Sequence, residues 1–125
     1  MTLDTGDTGV LINLSQDLPL GATRHFFNGN DDDSAVVKEI VAAPGVGRKL
    51  ILTHLTFGTF IPQSIFVLKG TGIILVGPIQ LEAAGVGYVK DYKWGLELPE
   101  NTSMSVDSDT NGLFHIYIEY INAPA

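Results

Sequence analysis

The strongest constraint on this chain is a period-two pattern that runs through residues 102–121. Met104 and Val106 alternate with Ser103, Ser105 and Asp107; the polar stretch Asp107-Ser108-Asp109-Thr110-Asn111-Gly112 follows. Beyond it Phe114, Ile116, Ile118 and Tyr120 alternate with His115, Tyr117, Glu119 and Ile121. β-Branched and aromatic residues at this period, on either side of a Gly-bounded turn, read as an antiparallel hairpin. A slip of one residue would carry the whole apolar row to the opposite face, so the register is tightly set. An apolar face of this kind requires a second layer to cover it. The expected solution is a β-sandwich.

Two more hairpins are expected upstream. Residues 36–43 and 49–57 flank Pro44-Gly45-Val46-Gly47, and residues 64–68 and 73–76 flank Lys69-Gly70-Thr71-Gly72. Gly77-Pro78 interrupts the pattern before a short strand at residues 79–81. Along residues 88–98, Tyr88, Lys90, Tyr92, Trp94, Leu96 and Leu98 share one face, while Val89, Asp91, Lys93, Gly95 and Glu97 share the other. That division suits a half-buried antiparallel strand, with Tyr88, Tyr92 and Trp94 expected in the core. Gly95 marks an expected bulge. No stretch has sustained helical periodicity. The predicted fold is therefore all-β, an antiparallel β-sandwich or jelly roll with an extended N-terminal arm. Residues 35–125 form its body within a single domain, and residues 1–34 form the arm, with short strands at 10–14 and 24–27.

A chain of 125 residues buries one real core. It is 45% hydrophobic but only 17% charged, against about 25% for an ordinary globular domain. Polar groups this sparse cover a small surface poorly, which favours burial of apolar surface against other subunits. Residues 65–68 and 73–76 are apolar on both faces, whereas one intramolecular core covers a single face. The candidate contact residues are therefore Val10, Leu11, Ile12 and Leu14 in the arm and Ile65, Val67, Ile73 and Leu75 in the body. The alternative is a twisted strand that passes between the sheets and is buried within one molecule. A net charge of -7 without a basic cluster argues against nucleic acid and anionic membranes as partners. No apolar run reaches the roughly 18 residues of a membrane span, and residues 1–4 have neither the basic start nor the apolar stretch of a signal peptide. Cysteine is absent, so neither disulfides nor thiolates enter.

Neither a cofactor nor a metal is expected. Asp107-x-Asp109-x-Asn111-Gly112 opens like a calcium loop, but the position that should supply a closing Glu is Ile118 and the flanks are strands. Turn chemistry accounts for the same residues. Asp31, Asp32 and Asp33 read as a solvated loop. His25, His54 and His115 stand apart, without the paired histidines of a metal-binding cupin. There is no Gly-x-Ser-x-Gly elbow or phosphate loop, and Gly45-x-Gly47 has no helix after it. No carboxylate pair is singled out for glycoside hydrolysis. The chain is not expected to be an enzyme.

Two segments carry a resemblance. Residues 43–53 are a Pro-Gly turn running into a basic and then β-branched strand. Residues 98–106 lead through a turn into the final alternating strand. Together they resemble small β-sandwich virion proteins of tailed bacteriophages, notably jelly-roll head decoration (cement) proteins, over about residues 35–121. The resemblance implies an oligomer, often a homotrimer, made in the host cytoplasm and seated on the outer surface of the head. There it would bridge neighbouring copies of the major capsid protein against internal DNA pressure, through many modest contacts that add by avidity. The N-terminal arm would add as a strand to a neighbour's sheet edge. The alternative is a tail-fibre or baseplate β-sandwich that binds a host receptor or glycan, for which an exposed aromatic face is the expected mark.

Overall fold

The computed structural model describes residues 5–11, 18, 20–31, 37–110 and 113–125, and among these no residue is helical. The strands are β1 (Thr5–Leu11), β2 (Thr23–Asp31), β3 (Lys38–Val41), β4 (Arg48–Thr59), β5 (Gln63–Lys69), β6 (Ile73–Leu81), β7 (Gly87–Glu97), β8 (Met104–Ser108) and β9 (Phe114–Pro124). They form a five-stranded sheet in the order β1-β2-β9-β4-β7 and a four-stranded sheet in the order β3-β8-β5-β6. Each paired neighbour runs antiparallel. This is the all-β sandwich that the alternation predicts.

The core lies between the sheets. From the five-stranded sheet, β9 contributes Phe114, Ile116, Ile118 and Tyr120, while β4 contributes Leu50, Leu52, Leu55 and Phe57. The other sheet answers with Ile40, Val41, Ile65, Val67, Met104 and Val106. Phe57 and Phe114 meet edge to face at 6.1 Å, the arrangement that ring quadrupoles favour. The inward row expected on β9 is thus the row that is buried.

The pairing of strands differs from the expected hairpins. β8 pairs with β3 and β5, whereas β9 pairs with β2 and β4 in the other sheet. The turn after Ser108 is therefore a crossing between sheets, not the bend of a hairpin. β3 and β4 likewise lie in different sheets, so the Pro44–Gly47 turn is also a crossing. Its loop is pinned to the loop after β7: the Gly45 N–H donates to Asn101 Oδ1 at 2.9 Å, the Gly47 N–H to Glu100 Oε2 at 2.8 Å, and the Asn101 N–H to the Arg48 carbonyl at 2.8 Å. The β5–β6 hairpin is present as expected, with Lys69 opposite Ile73. β6 continues through Gly77-Pro78 with register shifts, which an edge strand tolerates because proline need not donate there.

Residues 23–31, in the expected N-terminal arm, pair into the five-stranded sheet. β2 lies between β1 and β9, and its Phe27 is in the core. β1 pairs along its length with the chain's own β2, from Thr5 opposite Asn30 to Leu11 opposite Arg24. Asp32 and Asp33 of the acidic loop, and Asn111 and Gly112 of the calcium-like turn, lie outside the described residues. Asp109 uses one carboxylate oxygen to accept the Ser64 N–H at 2.8 Å, and Asp107 caps the Ser108 N–H at 2.9 Å. Asp107 thus bonds locally, while Asp109 ties the link to the start of β5.

Truncating Phe57 to Ala removes a fully buried ring from the seam between the sheets. The expected cost is about 3–5 kcal/mol, read as a lower urea midpoint at unchanged slope.

Candidate functional site

The outer face of the five-stranded sheet carries side chains that the sequence scatters widely. The registers of three strand pairs bring together Arg24 and Phe26 of β2, Tyr117 and Glu119 of β9, His54 and Thr56 of β4, and Asp91 of β7. Phe26 stacks on Tyr117 at 6.2 Å, and Tyr117 meets His54 edge-on at 5.8 Å. Gly9 of β1 leaves room for this row, because a Cβ there would lie 2.5 Å from the Phe26 ring.

His54 is held at both ring nitrogens. Nδ1 lies 2.6 Å from Asp91 Oδ1 and Nε2 lies 2.7 Å from Thr56 Oγ1. The Tyr117 hydroxyl donates to Glu119 Oε2 at 2.9 Å. Burial, and then the bond to Glu119 and its charge, push that phenol above its ordinary 10.0, so it remains a donor. These rings and carboxylates form a preorganised polar row rather than a set of loose surface groups.

A bulge turns the row into a cleft. Leu52 pairs with Leu96 and His54 with Asp91, so Thr53 alone opposes Tyr92, Lys93, Trp94 and Gly95. The surplus residues of β7 must loop out. Gly95 allows the return with φ of +76°, and any side chain there would collide with Ile51. Thr53 is also the extra residue against β9, and its hydroxyl donates to the Glu119 carbonyl at 3.1 Å. The result is a cleft of about 410 Å³ lined by Arg24, Thr53, His54, Asp91, Tyr92, Lys93 and Glu119.

Trp94 stands at this bulge with 87% of its surface exposed. The Lys93 ammonium lies 5.2 Å from its ring centroid, so the ring adjoins the cleft that Lys93 lines. Trp94 was expected in the core with Tyr88 and Tyr92. Tyr88, Tyr92 and Leu96 do pack against the core. Trp94 departs from them because the bulge breaks the alternation between residues 92 and 96.

The other histidines have separate surroundings. His115 faces outward and Nδ1 lies 3.0 Å from Asn30 Oδ1. His25 stacks on Tyr120 at 5.4 Å and lies 2.7 Å from the Thr23 hydroxyl. Burial lowers its pKa from the ordinary 6.5. Among the described residues no group of three or more His, Cys, Asp or Glu is placed to hold a metal ion.

The expected contact residues divide three ways. Ile65 and Val67 are completely buried, because their register sets them opposite Ser108 and Val106 on the inner face. They are core residues, unavailable to a neighbour in the folded chain. Val10 and Ile73 are exposed, and Leu75 is half-buried against the core. Leu11 lies in β1, and Ile12 and Leu14 lie outside the described residues. Sequence reading missed the His54–Asp91 pair, whose members are 37 positions apart. The bulge glycine was the one signal that pointed to this region.

No family model matches the chain, and no curated protein matches it. Among solved structures the chain is similar to the Schizosaccharomyces pombe Cnp3 cupin domain, at 10% identity and a TM-score of 0.35. The similarity covers 100% of this chain but 65% of the length of that one.

The chain has one tryptophan, so its fluorescence reports on Trp94 alone. Native protein should give the red-shifted emission of a solvated indole, quenched freely by acrylamide and little changed by urea. A blue-shifted native emission would place the ring in a core. For His25 the sign follows from its lowered pKa: the unfolded chain takes up a proton near 6.5 that the folded chain refuses. The stability this group contributes is present above that value and is lost as the pH falls through the lowered one. Urea midpoints between about pH 8 and about pH 5.5 should therefore fall less in His25→Phe than in the parent.

Proposed function

We propose that this chain is a structural assembly protein that grips neighbouring subunits, of the kind that decorates the outer shell of a tailed-phage head. The observation that carries this reading is the edge strand β6. Four strands end the two sheets: β1, β7, β3 and β6. β1 includes Asp7, β3 includes Lys38 and Glu39, and β7 includes Lys90, Asp91, Lys93 and Glu97. β6, Ile-Ile-Leu-Val-Gly-Pro-Ile-Gln-Leu, has no charge at all.

Natural sheets guard their edges with charges, prolines and bulges, since free N–H and C=O groups invite another strand. β6 has a proline in its second half only. In its first half Ile73 and Ile74 are 64% and 51% exposed. An uncharged, β-branched edge, guarded only by its register shifts and Pro78, is a poor design for a solitary molecule and a good one for pairing with a neighbour. β1 is also an edge but includes Asp7, whereas β6 has no charge, so the strand offered to a neighbour in this reading is β6 rather than an N-terminal arm. A symmetric oligomer, a homotrimer on the resemblance, would present several such edges to the major capsid protein, with the gain in avidity that multiple contacts bring.

The test replaces one exposed edge residue. Light scattering after size exclusion should give an oligomer for the parent and a monomer for Ile74→Lys, with matching circular dichroism. Sedimentation with expanded phage heads should carry down the parent and leave the variant in solution. A parent that stays monomeric at every concentration and ignores capsids would overturn the proposal.

A further inference from the structure

Assembly through β6 leaves the cleft on the other sheet unused. We infer that the cleft beside the β7 bulge binds a neutral saccharide, with one face of a sugar ring laid on Trp94. Three features point to that ligand class. First, the lining is mixed and balanced: Arg24 and Lys93 bring positive charge, Asp91 and Glu119 bring negative charge, and Thr53, His54 and Tyr92 are polar and neutral or aromatic. A sugar presents each of its hydroxyls as donor and acceptor together, and a lining of both kinds answers it. A strongly charged ligand would leave half of this lining opposed.

Second, Trp94 supplies a flat apolar plane at the rim, 87% exposed, where a small soluble domain gains nothing from leaving it wet. The C–H face of a pyranose is the complementary surface, apolar and flat, with polar groups around its edge. Indole suits such a ligand because its apolar body is large and its shape rigid. Lys93 lies over the same ring, which fixes the ring beside the cleft and supplies a donor at its margin.

Third, the polar groups are held before any ligand arrives. His54 bridges Asp91 and Thr56, and Tyr117 holds Glu119, so little ordering remains to oppose binding. The volume of about 410 Å³ is within the range of roughly 300–1,000 Å³ usual for small-ligand sites. The overall charge of -7 disfavours acidic glycans and so points to neutral ones. The site does not depend on β6, since the cleft opens on the outer face of one sheet while the β6 edge belongs to the other.

The experiment uses the full chain, an immobilised array of neutral oligosaccharides and a panel of soluble methyl glycosides and disaccharides at millimolar concentration. A binding sugar should give a saturable change in Trp94 fluorescence and a rise in melting temperature. Calorimetry on Trp94→Ala and Asp91→Asn should then show affinity reduced by about tenfold or more, the loss of one well-made contact. Both side chains are exposed, and unchanged melting temperatures of the free variants serve as the folding control. Ile74→Lys should bind as the parent does. Response on the array alone, or to single glycosides as well, tells a chain from one ring, and either supports the inference. Failure of every neutral sugar to bind, or equal binding by the parent and both cleft variants, overturns it.

Discussion

β9 is the strand on which the molecule depends. It is bonded on both sides, to β2 through residues 23–31 and to β4 through residues 48–59, so it has no free edge from Phe114 to Asn122. Its inward row of Phe114, Ile116 and Ile118 is completely buried, and Tyr120 nearly so. A strand flanked twice in this way cannot also accept β8. The preceding strand is forced into the opposite layer, where β3 and β5 receive it. The crossing of the chain between sheets at that point follows from the saturation of β9, and it places Met104 and Val106 opposite the row they help to bury.

That saturation also explains how much of the fold was legible. Alternation identifies a strand and tells which residues face inward, and it did so for Phe114 to Tyr120. It does not tell which strand lies alongside. Residues 42–47 and 109–113 read as hairpin turns because Pro, Gly, Asp and Asn serve a crossing between layers equally well. Length differs between the cases. Gly70, Thr71 and Gly72 make the shortest of these links, the length of an ordinary hairpin loop, and Lys69 lies opposite Ile73.

The candidate site was legible only at its hinge. Gly95 announced a bulge, and its φ of +76° bears this out, but nothing in the sequence announced a bulge of four residues against one. That difference decides the fate of Trp94. With a one-residue bulge the period-two rule would be displaced locally and soon resume; with the longer loop, the alternation between Tyr92 and Leu96 is suspended and the indole swings into solvent. His54 and Asp91 escape a linear reading for a different reason. They become neighbours because β4 lies between β7 and β9, a fact of sheet order and not of local pattern.

The distribution of charge links the two faces of the molecule. With only 17% of residues charged, the chain cannot guard every edge and also furnish a polar cleft. Lys90, Asp91, Lys93 and Glu97 are all spent on β7, where they protect an edge and two of them also line the cleft. β6 receives none, although it is the neighbouring edge of the sandwich and approaches β7 directly. Scarcity alone would leave charges scattered. Concentrating them on one of two adjacent edges leaves the other fit for close contact, because a single lysine or glutamate desolvated in such a contact would cost more than the strand pairing returns. The bare edge of β6 and the crowded one of β7 are thus two halves of one arrangement, in which two adjacent edges of the sandwich are kept chemically distinct.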